Sequence, residues 1–161
     1  MRMKKGYLII LLLGAFYSLC FSQTVEKKDY RITIKEWSMG ADNSYIITTD
    51  SIKIRKSGYL ENIYFNSVLT KEQSQKIFAP IEAVDLRKLE EPAYVFSAPL
   101  PEGELSDHGY QYDITVQHDG IMKGFHIERV KVDFLYSFIK GLNQYLPERF
   151  QVGYNDNYLK K

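Results

Sequence analysis

The stretch Tyr110-Gln111-Tyr112-Asp113-Ile114-Thr115-Val116-Gln117-His118-Asp119-Gly120-Ile121-Met122-Lys123-Gly124-Phe125-His126-Ile127 decides the fold. Tyr110, Tyr112, Ile114 and Val116 alternate with polar neighbours, the period of a half-buried strand. Asp119-Gly120 supplies two residues that accept positive φ, which a two-residue hairpin turn requires. With that turn, His118 faces Ile121, Ile114 faces Phe125 and Tyr112 faces Ile127. One side of the hairpin is then apolar. The other carries Asp113, Thr115, His126 and Glu128. A slip of one residue would exchange the two sides, so the apolar set itself selects the register.

Upstream, Tyr30-Arg31-Ile32-Thr33-Ile34-Lys35 alternates in the same way, and Tyr30 to Ile34 resembles Tyr112 to Val116. Ser38 to Ser44 reads as a turn, Tyr45 to Thr49 as a second strand, Ile52 to Arg55 as a third and Asn62 to Val68 as a fourth. Thr70-Lys71-Glu72-Gln73 is a capping box that opens a helix through Ile77, Phe78, Ile81 and Val84. Pro80 lacks a donor and crowds the preceding turn, so a kink or break is expected there. Downstream, Phe134, Leu135, Phe138, Ile139, Leu142, Tyr145 and Leu146 mark one stripe of a second helix, stopped by Pro147. The expected fold is α+β: an antiparallel sheet of about five to six strands with two amphipathic helices on one face, in the order strands, helix, hairpin, helix.

The N-terminus has a different character. Arg2, Lys4 and Lys5 precede an apolar run of roughly 15 residues, Tyr7 to Phe21, followed by polar Gln23 and Thr24. That is the layout of a secretory signal peptide, and a membrane-crossing helix needs about 20 apolar residues. Residues 1–22 are read as the signal and 23–161 as a single α+β domain, exported to the periplasm or secreted. The alternative is lipidation at Cys20, for which Leu19 is a poor predecessor. Cleavage removes the only cysteine, and with it disulfides, thiol nucleophiles and cysteine-ligated metals. It also removes three of 21 basic residues while all 20 acidic ones stay, leaving a charge of −2. Such a chain lacks the positive excess of a nucleic-acid binder, and after cleavage it keeps no membrane span.

No phosphate-binding glycine loop, nucleophile elbow or zinc-binding His-Glu-x-x-His helix is present. No catalytic residue, metal or cofactor is therefore assigned. Asp113 lies across from His126, with Glu128 nearby. A carboxylate can orient an imidazole as a base, but the plain reading is an opposite-charge cross-strand pair. Asp107-His108 and His118-Asp119 are likewise read as solvated rather than metal-binding. Trp37, beside the Ser38 turn, is the best candidate for an exposed contact. Glu91 to Gly109 is a long Pro- and Gly-bearing loop, in which Tyr94, Val95 and Phe96 suggest a packed portion. Trp37, Tyr94, Phe96, Asp113, His126 and Glu128 are the candidate contact residues.

Cys20-Phe21-Ser22-Gln23, the Tyr30 to Ile34 strand, Leu69-Thr70-Lys71-Glu72, Asp119-Gly120 and Tyr145-Leu146-Pro147-Glu148 carry a resemblance. The chain resembles small exported envelope proteins of Bacteroidota. The resemblance implies location and general shape, and no activity. The expected function is a non-catalytic, exported binding or protein-interaction domain of unknown specificity, its partner an envelope protein or glycan. A glycan- or small-ligand-binding module of the envelope is the first alternative, and a hydrolase using Asp113 and His126 the second.

Overall fold

The computed structural model describes residues 29–38, 40–58, 61–89, 94–95, 111–128 and 130–156. The leader with Cys20, together with Phe96, Asp107 and His108, lies outside them. Seven strands are described: β1 (Tyr30–Ser38), β2 (Ala41–Thr48), β3 (Ser51–Ser57), β4 (Asn62–Val68), β5 (Tyr94–Val95), β6 (Gln111–His118) and β7 (Ile121–Ile127). Helix α1 (Lys71–Glu82) follows β4, and helix α2 (Asp133–Asn143) follows β7. The strands form one sheet in the order β4-β3-β2-β1-β6-β7-β5. Six are antiparallel neighbours, and the two-residue β5 adds in parallel to β7.

The hairpin has the register its apolar pattern demands: His118 opposite Ile121, Ile114 opposite Phe125, Tyr112 opposite Ile127. Asp119 and Gly120 both adopt positive φ, 48° and 73°, which lets the turn follow the twist of the strands. The two similar segments, Tyr30 to Ile34 and Tyr112 to Val116, are neighbours at the centre of the sheet. They run antiparallel, with Thr33 opposite Thr115.

The first hairpin differs from expectation. Strand β1 runs on to Ser38 and β2 already begins at Ala41, with Gly40 at φ 83° in the turn, so most of Ser38 to Ser44 is strand. Glu36 pairs with Asn43 across the ladder. Both point to the buried side, where the Asn43 Nδ2 donates to Glu36 Oε2 at 2.9 Å. Their mutual hydrogen bond satisfies two polar residues in core phase and lets the strands continue through the expected turn.

Tyr30, Ile32, Ile34, Tyr45, Ile47, Ile52, Ile54, Tyr112, Ile114, Val116, Phe125 and Ile127 make one side of the sheet the core. From that side Tyr30 stacks on Phe78 of α1 at 4.9 Å, and Phe125 meets Phe134 of α2 edge-on at 5.6 Å. Phe78 and Phe138 join the helices, with centroids 5.7 Å apart. Thr70 caps α1 in a complete box: Gln73 N donates to Thr70 Oγ1 at 3.2 Å, and Thr70 N donates to Gln73 Oε1 at 2.9 Å. The helix does not break at Pro80 and ends at Glu82. Pro80 sits near the C-terminal end, so few residues beyond it depend on helical geometry.

Beyond α2 the chain returns to the sheet. Phe150, Val152 and Tyr154 are buried. Asn143 clamps Val152 from both sides, its Nδ2 donating to Val152 O at 3.0 Å and its Oδ1 accepting from Val152 N at 2.9 Å. Among the described residues, no helix is long and apolar enough to cross a membrane.

Candidate functional site

The side of the sheet opposite the core carries the candidate residues. Alternation in β1 points Arg31, Thr33, Lys35 and Trp37 to this side. The same rule places Gln111 and Asp113 of β6, and His126 of β7, there. Antiparallel pairing then aligns Lys35, Asp113 and His126 in one row across β1, β6 and β7. Tyr94 of β5 extends that row, its Cα paired with His126. Trp37 sits in the next row, opposite Gln111.

His126 is the centre of this group. Its Nδ1 lies 2.7 Å from Asp113 Oδ1 and its Nε2 lies 3.1 Å from Glu128 Oε1. The hydrogen bond to the Asp113 carboxylate pushes the imidazole pKa up, partial burial opposes it, and the hydrogen bond to Glu128 adds to the rise. Two carboxylates on the two ring nitrogens favour the imidazolium, which alone can donate from both. The Trp37 ring lies beside it, centroids 6.3 Å apart and tilted by 43°. Trp37 keeps 41% of its surface exposed.

The structure therefore brings Trp37, Asp113, His126 and Glu128 together and pairs Tyr94 with them in register. The assembly of Trp37 with His126 depends on the β1–β6 contact, which joins segments far apart in sequence. His118 stands apart at the hairpin tip, its Nε2 3.1 Å from Asp119 Oδ2 and its ring stacked on Tyr30 at 4.0 Å. Among the described residues, no group of three His, Cys, Asp or Glu side chains is arranged to hold a metal ion.

Sequence reasoning missed a second polar cluster, on the core side. Glu36 is only 2% exposed. Its Oε2 accepts from Asn43 Nδ2 at 2.9 Å and from the Tyr45 hydroxyl at 2.8 Å, and its Oε1 accepts from Gly153 N at 2.7 Å. Lys56 Nζ donates to Gln151 O at 2.8 Å; burial lowers its pKa and Glu36 opposes that. The cluster ties residues 151–153 to β1, β2 and β3. A signal existed: Glu36 continues the Tyr30, Ile32, Ile34 phase and so had to be buried and partnered.

Neither a known protein family, nor a curated protein, nor a solved structure matches this chain.

Proposed function

We propose that this protein is an exported, non-catalytic interaction domain. In this reading the Trp37–His126 side of the sheet is the contact surface for an envelope protein. The observation that supports it most is the pairing of an exposed indole with an imidazole engaged at both nitrogens, on a side that the core does not use. Among the described residues, Phe78 of α1 and Phe134 of α2 meet the core side of the sheet, and in this reading the Trp37 side meets the partner. Tryptophan is among the side chains from which interface hot spots are built. Export rests on the N-terminal charge and hydropathy pattern.

A glycan-binding reading draws on the same Trp37 ring beside two carboxylates. Tyr30, Tyr45, Tyr112 and Tyr154, which would widen such a platform, are buried. That favours the protein-contact reading. A hydrolase using Asp113 and His126 is disfavoured by chemistry. A general base needs a ring nitrogen with a free lone pair, and here each nitrogen faces a carboxylate.

The test is affinity capture from envelope extract on immobilised wild-type protein and on Trp37→Ala. A specific protein retained by the wild type and lost with Trp37→Ala, at equal thermal stability, is the expected outcome. Identical retention by both forms, or none by either, contradicts the reading.

A further inference from the structure

Strand β4 is the long open edge of the sheet. Among the described residues it ends the strand order and pairs only with β3. The opposite edge is blunted by the two-residue β5, one of the devices that keep sheets from adding strands. Among the described residues, β4 carries none of these devices. Asn62-Ile63-Tyr64-Phe65-Asn66-Ser67-Val68 contains no charge, no proline and no glycine. Its register against β3 runs unbroken from Val68 to Asn62, so no bulge twists it away.

The hydrogen-bond phase of this edge is fixed. Leu69 N donates to Asp50 O at 2.8 Å, and Gly58 N donates to Glu61 O at 3.3 Å. Alternation in an antiparallel ladder then turns Ile63, Phe65 and Ser67 toward β3. The backbone N–H and C=O groups of Asn62, Tyr64, Asn66 and Val68 point outward. Tyr64 and Val68 are also 65% and 82% exposed.

We propose that two copies of this chain pair antiparallel through β4, about a two-fold axis at Phe65. The self-match of the edge carries this. An axis at Phe65 sets Tyr64 opposite Asn66 of the second copy and Asn62 opposite Val68. Those are the residues whose backbone groups point outward, so every outward N–H and C=O finds its mate. An axis at Tyr64 or Asn66 would also pair outward groups, but would leave one end of the strand overhanging. On the core side Phe65 meets its own copy. It already lies against Phe150, centroids 5.2 Å apart, so the apolar layer runs on across the axis. The proposal is independent of the Trp37 surface, which stays open in the dimer.

The phase argument makes a sharp test. Asn66→Pro removes an outward N–H and no bond to β3, a position edge strands tolerate. Sedimentation equilibrium of the wild type is expected to show a dimer, weakened by about tenfold or more in Asn66→Pro with its thermal transition kept. If Asn66→Pro fails to fold, Tyr64→Lys/Asn66→Lys places like charges opposite one another on exposed positions and serves instead. In the dimer, the amides of Asn62, Tyr64, Asn66 and Val68 gain hydrogen-exchange protection with rising concentration. A wild type that stays monomeric overturns the proposal, including one that instead accepts an added extended peptide along β4. So does a dimer left intact by both variants.

Discussion

The Gly153 N–H donates to Glu36 Oε1 at 2.7 Å, tying the end of the chain to the first strand. Gly153 is needed for that approach. A Cβ built there would lie 2.7 Å from the same Oε1 and 3.0 Å from the Tyr112 hydroxyl. Both residues are buried, and the Glu36 carboxylate is held by Asn43 and Tyr45, so there is little room to give way. Gly153→Ala is expected to cost about 1–3 kcal/mol, read from the denaturation midpoint. A neutral substitution would show that the tail is not held this way.

The helix start makes a milder prediction. Thr70→Ala removes the acceptor for Gln73 N and half of the capping box. A loss of about 1 kcal/mol is expected in urea titration. Asn substituted at the same site should restore most of it.

The two sides of the sheet should respond differently to truncation. Phe138 is fully buried between Phe78 and the core. Phe138→Ala is expected to cost about 3–5 kcal/mol. Trp37→Ala, on the exposed side, should cost a small fraction of that. Comparable losses would mean that Trp37 is a packing residue and not a contact.

His126 links stability to pH. Its folded pKa is raised above the ordinary value of about 6.5. The folded state therefore holds the proton more tightly than the unfolded state. The stabilisation is complete below about 6.5 and disappears as pH rises through the folded value. Wild type should lose stability across that window. Asp113→Asn should lose less, because the largest cause of the shift is gone. Parallel stability–pH curves would contradict the assigned pair.

Tyr30 makes a separate alkaline prediction. Burial, then Glu82 and Asp119, push its hydroxyl up to about 12. Its contribution is present below about 10 and is lost as pH climbs through about 12. An ultraviolet titration of tyrosinate should show a late-titrating phase that Tyr30→Phe removes.

Much of the fold was legible where local chemistry and burial agree. Asp119-Gly120 with alternating flanks gave the β6–β7 register, and Thr70 to Gln73 gave the start of α1. The misses share one cause: they depend on partners distant in sequence. Asn43 reads as turn, and Glu36 falls just past a strand read as Tyr30 to Lys35, because their mutual bond and the bond from Gly153 cannot be seen from neighbours. Tyr94 reads as loop because β5 is only two residues long and is defined by β7. Asp113, His126 and Glu128 followed from the hairpin register alone. The nearness of Trp37 to them did not, since it needs β1 beside β6.

The claim that His126 is a fixed charged contact and not a base is open to one direct measurement. Nitrogen-15 NMR of the imidazole ring reports the protonation of Nδ1 and Nε2 separately. The account expects both nitrogens protonated below about 6.5, an apparent pKa raised above that ordinary value, and a fall in that pKa in Asp113→Asn. An apparent pKa at or below the ordinary value, unmoved by Asp113→Asn, would contradict it.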